Sequence, residues 1–328
     1  MTRPAPIVAV LVADDDAEPE GLDLVRAEAA EVHVVRGDDA LGAALGRGID
    51  VLAVYDFRTP LVAAHADAVA RLEWVHAASA GVDAVLVPAV IDADTVVTNA
   101  QGVFDDAIAE YVLGLLLAFA KDLPRTLALQ RDRRWRHRET ERIAGRHVLV
   151  VGAGSIGGAI GRLCRAVGME VRGVARSARD GDDAFESVAS IDDLHAELAW
   201  ADDVVVATPL TPATHHLIDA SAIASMRPGA RVVNIGRGPV VDQGALVDAL
   251  RSGHVGAAGL DVFETEPLPP DHPFWAMEQV VVSPHMSGDV VGWVGALGEQ
   301  LAHNLRRFRE GQPLRHVVDK RALAGANR

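Results

Sequence analysis

The sequence predicts an α/β protein with two doubly wound parallel-sheet domains, and two observations carry this prediction. The chain has 328 residues, of which 49% are hydrophobic, and this is enough for two separate cores of ordinary domain size. Short aliphatic runs also alternate with helical stretches along both halves of the chain. Such alternation is typical of parallel sheets that helices cover on both faces.

Five strands are predicted in the first hundred residues. They are the runs IVAVLVA (7–13), EVHVV (31–35), DVLAVY (50–55), LEWVHAASAG (72–81) and TVVTNA (95–100). One long helix is then predicted over roughly residues 105–130, where apolar side chains recur at helical spacing.

A second series of six strands begins at Val148, after an arginine-rich stretch. These strands are the runs VLVVG, MEVRGVA, DDVVVAT, ARVVNIG, GAAGLDV and QVVVSPH. After His285 the sequence returns to a helix over about residues 289–311, which is too short to form a third domain. We expect this helix to pack on the first domain.

Composition and charge exclude several classes of function. The formal net charge is −15, and acidic residues interrupt the one arginine cluster, so we expect no nucleic-acid partner. Cys164 is the only cysteine, which argues against an internal disulfide or a cysteine-based metal centre, and no metal site is predicted. The run at residues 7–13 stops at three aspartates, residues 14–16, and is interpreted as a buried strand and not as a secretory signal. The apolar stretch at 111–120 is too short to span a bilayer. We therefore expect a cytoplasmic protein that does not enter a membrane.

The segment GAGSIGG (152–158) predicts a dinucleotide site. Gly152, Gly154 and Gly157 match G-x-G-x-x-G, directly after one predicted strand and directly before a helix. The first glycine permits a tight turn, the second lets the backbone approach a pyrophosphate, and the third lets helix and strand pack closely. We expect Ser155 and Ile156, at the helix start, to bind the cofactor with these glycines. A purely structural turn is the alternative.

The end of the next strand indicates which dinucleotide is preferred. An acidic residue normally binds the ribose 2′-hydroxyl of NAD at this place, but the sequence has Ala175, followed by Arg176 and Ser177. A guanidinium and a hydroxyl can bind a 2′-phosphate by charge-assisted hydrogen bonds. This favours NADP, although NAD remains possible if Arg176 only stacks on adenine or lies in solvent.

Three later segments supply residues suited to proton transfer next to a carboxylate substrate. Arg237 in NIGRG, Glu266 in DVFETEP and His285 in SPHMSG each follow a predicted strand, at the edge of the sheet where ligands bind. Arginine provides a planar fork for a carboxylate or a polarised carbonyl, and a carboxylate beside histidine fixes its tautomer and stabilises its protonated form. Each residue alone has a common structural explanation, but the combination with a dinucleotide turn points to a ketone reductase.

The sequence resembles the D-isomer-specific 2-hydroxyacid dehydrogenase family over nearly its whole length. The similar segments are ASAGVD (78–83), VTNAQGVFDDAIAEYVLGLLLA (97–118), GAGSIGG, ATPLTPAT (207–214), NIGRG, LDVFETEPLP (260–269), PHMSG and GQPLRHVVD (311–319). The resemblance implies a flavodoxin-like substrate domain, residues 1–101 and 288–328, with an inserted Rossmann coenzyme domain, residues 102–287. It also implies a homodimer built on the helix from Asp105.

The resemblance also assigns roles to individual residues. It implies that Arg237 binds the substrate's carboxylate and carbonyl oxygen, that Glu266 pairs with the imidazole, and that His285 transfers the proton. Backbone amides of Ser79, Ala80 and Gly81 would hold the substrate carboxylate. The further cofactor-binding residues that it implies are Thr208, Pro209, Ile235, Gly236, Asp261 and Ser287.

We therefore expect an NADPH-preferring reductase that converts small 2-keto acids, such as glyoxylate or hydroxypyruvate, to D-2-hydroxy acids, and catalyses the reverse. Formate is a poor candidate, because Glu266 stands where formate dehydrogenases of the family carry glutamine. Two alternatives stay open. One is an NAD-linked catabolic dehydrogenase, and the other is a dinucleotide-sensing binding protein, since a transcriptional corepressor shares this fold and the same three residues.

Overall fold

A computed structural model describes residues 3–323 of the chain. The chain divides into two compact units, and we call Met1–Phe104 with Val290–Arg328 the first unit and Asp105–Asp289 the second unit. Each unit is built on its own sheet of mainly parallel strands with helices on its faces. The predicted α/β class with two parallel-sheet domains is therefore confirmed.

The first unit contains a five-stranded, fully parallel sheet in the order β2-β1-β3-β4-β5, which is the flavodoxin-like order. Its strands are β1 (Ile7–Leu11), β2 (Glu31–Val35), β3 (Val51–Val54), β4 (Trp74–Ala77) and β5 (Val96–Asn99). Its helices are α1 (Leu22–Glu28), α2 (Gly37–Arg47), α3 (Leu61–Ala64), α4 (Ala66–Val69), α5 (Pro88–Asp92), α12 (Trp293–Arg309) and α13 (Lys320–Leu323).

Helices α1 and α12 cover one face of this sheet, although they lie far apart in the sequence. Val8 and Val10 of β1 project to this face and are completely buried with Leu301 and Leu305 of α12. Successive side chains of a strand point to opposite faces, so neighbouring Ala9 belongs to the core on the other side. Removing a leucine side chain from such a site costs about 2–5 kcal/mol, so α12 is an integral part of the first unit.

The second unit contains an eight-stranded sheet in the order β13-β12-β11-β10-β6-β7-β9-β8, in which only β8 is antiparallel to its neighbour. Its strands are β6 (His147–Val151), β7 (Glu170–Ala175), β8 (Arg179–Asp180), β9 (Ser187–Ser190), β10 (Asp203–Val206), β11 (Ala230–Asn234), β12 (Val255–Leu260) and β13 (Val280–Val282). Its α-helices are α6 (Asp105–Ala120), α7 (Leu123–Arg131), α8 (Ser155–Ala166), α9 (Leu194–Trp200), α10 (Ala220–Ser225) and α11 (Gln243–Ser252). The strand order reverses between β6 and β10, and dinucleotides bind at such a point in Rossmann folds.

Two details of the second unit differ from the sequence prediction. The single helix predicted over residues 105–130 is wrong, because α6 ends at Ala120 and α7 begins at Leu123. Asp122 lies between them with φ 48°, a left-handed conformation that ends a helix, and Pro124 stands in the first turn of α7. The short strands β8 and β9 were not predicted.

Candidate active site

Loops after three neighbouring parallel strands carry the three residues that the sequence singled out. Arg237 follows β11, Glu266 follows β12 and His285 follows β13. All three belong to the second unit and lie at the carboxyl edge of its sheet. This is the edge at which open α/β sheets bind ligands.

His285 and Glu266 form a hydrogen-bonded pair. Nδ1 of the imidazole lies 2.9 Å from Oε2 of the carboxylate, and each side chain is about one-fifth exposed, 22% and 20%. The second oxygen, Oε1, accepts the backbone N–H of Phe263 at 3.0 Å, which fixes the plane of the carboxylate. A carboxylate only accepts, so Nδ1 carries the hydrogen in this pair and the tautomer of His285 is set.

Asn234, the last residue of β11, holds the loop that carries Arg237. Its side chain is 1% exposed and bonds that loop at two points. Oδ1 accepts the N–H of Gly236 at 3.1 Å, and Nδ2 donates to the carbonyl oxygen of Arg237 at 3.1 Å. The guanidinium itself donates to the carbonyl oxygen of Gly236 at 2.8 Å. Sequence reasoning missed Asn234, although it stands in the NIGRG motif.

Asp261 supports the loop around His285. The carboxylate is completely buried, and its Oδ1 accepts the N–H of Met286 at 3.0 Å while Oδ2 accepts the N–H of Ser287 at 2.9 Å. The hydroxyl of Ser283 also donates to Oδ1 at 2.6 Å. His285 has φ 57°, which is uncommon for a residue with a side chain, so its backbone is held by this surrounding network.

The glycine turn after β6 has the close contacts that its spacing predicts. Gly152 has φ 112°, and a side chain there would lie 2.7 Å from the carbonyl oxygen of Ala207, which directly follows the neighbouring strand β10. A side chain at Gly157 would overlap the carbonyl oxygen of Gly152. Both positions therefore exclude any residue larger than glycine, because the backbone passes too closely.

The start of α8 fits a pyrophosphate. A side chain at Gly154 would meet no atom within 4 Å, so the backbone there faces open space, and this residue provides no side-chain cap for α8. The amides of Ser155, Ile156 and Gly157 begin the helix, where N–H groups have no intrahelical acceptor and attract anions. The hydroxyl of Ser155 donates to the carboxylate of Asp105 at the start of α6, a neighbour that the sequence did not indicate.

The residues expected to lie along the cofactor occupy the same edge of the sheet. Thr208 and Pro209 directly follow β10, and the Thr208 hydroxyl donates to the carbonyl oxygen of Val151 at 2.8 Å. Ile235 and Gly236 directly follow β11. Both strand ends lie on the β10 side of the switch point, and the glycine turn after β6 lies on its other side.

Arg176 and Ser177 lie beside the glycine turn as well. They follow β7, both are exposed, and β7 reaches the turn because the N–H of Gly152 donates to the carbonyl oxygen of Val174 at 2.9 Å. Sequence reasoning missed a second arginine here. Nη2 of Arg179 lies 3.5 Å from the carbonyl oxygen of Ala153, inside the turn.

A carboxylate holds the Arg179 guanidinium in place. Its Nη1 donates to Oδ2 of Asp182 at 2.6 Å, and the pKa of Asp182 is lowered by this bond. A basic residue three positions after Arg176 was the available signal for this second guanidinium.

In the first unit, the loop after β4 contains Ser79, Ala80 and Gly81. Their carbonyl oxygens accept, in order, the N–H of Ala100 at 3.0 Å, the side-chain amide of Asn99 at 2.7 Å and the Ser79 hydroxyl at 2.7 Å. Over residues 3–323, no acceptor is seen for the three N–H groups of this loop. The three carbonyl oxygens therefore already accept hydrogen bonds, whereas the three amides donate none within the described residues. Successive amides of this kind can bind an anion.

The described part of the chain has neither a cluster of metal-binding side chains nor a helix suited to a membrane. No group of three or more histidine, cysteine or acidic side chains there is arranged to hold a metal ion. No described helix combines the length and the apolar character needed to cross a membrane.

Comparison with known proteins agrees with this geometry. Residues 113–287 match the family described as "D-isomer specific 2-hydroxyacid dehydrogenase, NAD binding domain". A glyoxylate reductase of Thermofilum pendens is 31% identical over 263 residues, 78% of each chain. D-3-phosphoglycerate dehydrogenases also match, but the chain spans only about half of their length, 46% for the Mycobacterium bovis protein at 38% identity.

Solved structures of similar proteins cover nearly the whole chain. A D-isomer specific 2-hydroxyacid dehydrogenase from Xanthobacter autotrophicus Py2, in complex with NADPH and MES, has a TM-score of 0.79 at 31% identity and covers 97% of this chain and 99% of that chain. The NADPH-dependent glyoxylate/hydroxypyruvate reductase of Sinorhizobium meliloti, in complex with NADP and sulfate, has a TM-score of 0.79 at 28% identity with the same coverage.

The sheet order, the glycine turn and these matches define an oxidoreductase that uses a nicotinamide cofactor. Within that class, the chain belongs to the D-isomer specific 2-hydroxyacid dehydrogenase family.

Proposed function

We propose that this protein reduces small 2-keto acids of the glyoxylate and hydroxypyruvate type to D-2-hydroxy acids, with NADPH as the preferred cofactor, and catalyses the reverse reaction. In this proposal the residues around the glycine turn bind the dinucleotide, and the amides of Ser79, Ala80 and Gly81 bind the carboxylate of an acid. The observation that carries it is the 2.9 Å pair of His285 and Glu266 at the sheet edge that also carries the glycine turn. A histidine whose tautomer is fixed by a carboxylate is suited to give a proton to a ketone oxygen.

The reaction requires a proton donor, a group that polarises the carbonyl, and a hydride. When bound, the nicotinamide cofactor supplies the hydride to the ketone carbon. Nδ1 of His285 is engaged by Glu266, so Nε2 is the atom that protonates the ketone oxygen. Arg237 holds the substrate carboxylate and the carbonyl oxygen, because its planar fork matches two oxygens at once.

The loop at Ser79–Gly81 provides the second hold on the substrate. Its amides are the groups left after its carbonyls bond internally, and Asn99 fixes the carbonyl of Ala80. Successive amides of this kind form a small anion-binding concavity. A substrate fixed at its carboxylate and its ketone oxygen is oriented for hydride transfer to one face only, which accounts for a single stereoisomer of product.

The preference for NADPH rests on the residues after β7. Ala175 stands where the acidic partner of the NAD ribose is expected. Arg176, Ser177 and Arg179 follow it, and Arg179 lies next to the carbonyl oxygen of Ala153 in the glycine turn. The relatives from Xanthobacter and Sinorhizobium are in complex with NADPH and NADP. Thr208, Pro209, Ile235, Gly236, Asp261 and Ser287 are the remaining cofactor-binding residues in this proposal.

The test is the initial rate of NADPH and NADH oxidation with glyoxylate, hydroxypyruvate, pyruvate and 2-ketobutyrate, followed by chiral analysis of the product. We expect a D-2-hydroxy acid and a kcat/KM for NADPH at least about tenfold above that for NADH, the effect of one charge-assisted contact. A product of L configuration contradicts the proposal. So does a kcat/KM that is higher with NADH, which would instead support the NAD-linked dehydrogenase.

The second candidate is a dinucleotide-sensing protein without turnover, because such a protein would use the same dinucleotide-binding residues. It predicts tight NADPH binding, measured by quenching of tryptophan fluorescence, together with no oxidation of cofactor by any of the four acids. Turnover that depends on His285 excludes it.

We also propose a homodimer, because apolar side chains next to α6 lie in solvent. Leu123 is 45% exposed, Leu127 is 58% exposed and Trp135 is fully exposed. Three such groups close together in the sequence favour association with a partner surface. Sedimentation equilibrium at micromolar concentration tests this, and a species of 34.6 kDa would contradict it.

A further inference from the structure

A chain of hydroxyl groups connects helix α6 to the carboxylate of Asp261. The phenol oxygen of Tyr111, on α6, lies 2.6 Å from Oγ of Ser283. Oγ of Ser283 lies 2.6 Å from Oδ1 of Asp261. Tyr111 and Ser283 are 172 residues apart in the sequence, so the bond joins distant segments of the second unit.

Chemistry fixes the direction of each bond in this chain. The carboxylate can only accept, so the single hydroxyl hydrogen of Ser283 points to Asp261, and Tyr111 must then donate to Ser283. Burial raises the pKa of Tyr111, and the charge of Asp261 raises it further against the opposing bond with Ser283. The phenol is therefore harder to deprotonate than that of a free tyrosine, which agrees with its role as the donor to Ser283.

Asp261 transmits this arrangement to the residues around His285. Its Oδ1 accepts both the Ser283 hydroxyl and the Met286 amide, and its Oδ2 accepts the Ser287 amide, so the residues that it bonds precede and follow His285 in the sequence. The backbone of His285 is in the left-handed region with φ 57°. A conformation of that kind persists only where neighbouring groups enforce it. Loss of one of these hydrogen bonds therefore lets the backbone relax and displaces the imidazole of His285.

We propose that Tyr111 and Ser283 are positioning residues for the proton donor, which hold His285 in its reactive orientation through Asp261. The inference rests on the proposed role of His285 in proton transfer. In this inference Tyr111 affects the reaction only indirectly, through Ser283 and Asp261. An error of about 1 Å in the position of a reacting group is enough to lower a rate substantially.

The principal test compares Tyr111→Phe, Ser283→Ala, the double variant and Ser283→Thr. We expect Tyr111→Phe and Ser283→Ala each to lower kcat roughly three- to thirtyfold, with KM for the keto acid and the dissociation constant of NADPH changed less than about twofold. The double variant should be no worse than the poorer single variant, because both remove the same chain. Ser283→Thr keeps the hydroxyl and should retain most of the activity.

Tyr55→Phe is the matched control, since Tyr55 and Tyr111 are the only tyrosines in the sequence. The Tyr55 hydroxyl is buried without a hydrogen-bond partner in the described part of the chain, so its removal should leave kcat unchanged. A second readout needs no cofactor or substrate. Hydrogen exchange at the amides of Met286 and Ser287 should become faster in Tyr111→Phe and Ser283→Ala, and stay unchanged in Tyr55→Phe.

The outcomes separate the inference from the proposed function. If His285→Ala abolishes turnover while folded Tyr111→Phe keeps the kcat and the exchange rates of the unaltered protein, the positioning role is wrong and the proton donor stands. If His285→Ala itself retains activity within about threefold, the proposed function fails first. Losses in kcat that add in the double variant also contradict the positioning role. So does a loss in kcat for Tyr55→Phe equal to that for Tyr111→Phe.

Discussion

The imidazole of His285 and the carboxylate of Glu266 lie 2.9 Å apart, although they come from loops after two different strands. One oxygen of Glu266 faces the imidazole and the other accepts the N–H of Phe263. The pair is therefore held from both ends, by the backbone near Glu266 and by Asp261 near His285. This arrangement makes different predictions for the two partners.

Replacement of His285 removes the proton donor itself. We expect His285→Ala to lower kcat by about two to four orders of magnitude, the usual contribution of a positioned acid–base group. The dissociation constant of NADPH, measured by fluorescence titration, should change little because the glycine turn is untouched. Activity within about threefold of the unaltered protein would place the donor elsewhere.

Glu266→Gln keeps the shape of the partner but removes its charge. A neutral amide can present either its oxygen or its N–H groups to Nδ1, so it no longer fixes the tautomer of His285. We expect kcat for ketone reduction to fall about ten- to a hundredfold, which is less than the loss expected for His285→Ala. A kcat equal to that of the unaltered protein, measured with saturating NADPH and keto acid, would show that the pair does not support proton transfer.

Arg176→Ala tests the cofactor preference. Loss of a charge-assisted contact worth roughly 1.5–3 kcal/mol should weaken NADPH binding by about one to two orders of magnitude and leave NADH binding almost unchanged. Arg162→Ala is the control, because Arg162 is half exposed on α8 and lies near Asp183 instead. Equal weakening of both cofactors by Arg176→Ala would mean that this arginine supports adenine or the fold.

The matching change in the opposite direction is Ala175→Asp. It supplies an acceptor for the ribose 2′-hydroxyl and places a negative charge against a 2′-phosphate. The kcat/KM ratio of NADPH to NADH should fall. A ratio that rises would contradict the placement of the phosphate at this strand end.

Asp219 provides a prediction for stability against pH. It caps α10 by accepting the N–H of Ala222 at 2.8 Å, and this bond, with that of the Ser221 hydroxyl, lowers its pKa below the ordinary 3.8. Asp219→Ala should cost about 1 kcal/mol of unfolding free energy at pH 6, the usual worth of an N-cap. The folded pKa is lowered, so this stabilisation is present above pH 4 and is lost as the pH falls below it.

Urea unfolding at pH 6 and at pH 3.3 measures the effect, with Asp219→Asn as the control. Asparagine also caps helices but does not titrate, so its difference from alanine should stay constant with pH. The gap between the aspartate protein and Asp219→Ala should narrow at the lower pH. A gap of the same size at both pH values would contradict the role of the charge.

Hydrophobic pattern was sufficient to predict most strands. EVHVV coincides with β2, and each of the other predicted runs overlaps the strand that forms, although β6 and β12 begin one residue before the predicted runs, at His147 and Val255. Strands β8 and β9 escaped prediction because they are short and polar, and only their pairing with each other and with β7 makes them strands. The helix break at Asp122 escaped because the apolar pattern continues beyond it, and the nearby Pro124 was the only local signal.

Site residues divide in the same way. Gly152, Gly157 and His285 stand in segments whose spacing carries chemical meaning, so the sequence alone could propose them. Asn99 and Tyr111 support the site through contacts with other segments, whereas Asn234 bonds its own loop and stands within the NIGRG motif. The hydrogen-bond partner of Tyr111, Ser283, lies 172 residues away, and no local pattern can indicate a bond of that kind.

The position of α12 has a consequence for the order in which the protein is made. Strands β1 to β5 leave the ribosome first, but α12 begins at Trp293, about 190 residues after β5 ends at Asn99. At roughly 5–20 residues per second, the side chains of Val8, Val10 and Trp74 wait about 10–40 seconds for Leu301 and Leu305 to cover them. During that interval the complete second unit can already fold, because Asp105–Asp289 is continuous. The sheet that is synthesised first is therefore the last to be covered. Until then its apolar face is the surface that a ribosome-associated chaperone would need to shield.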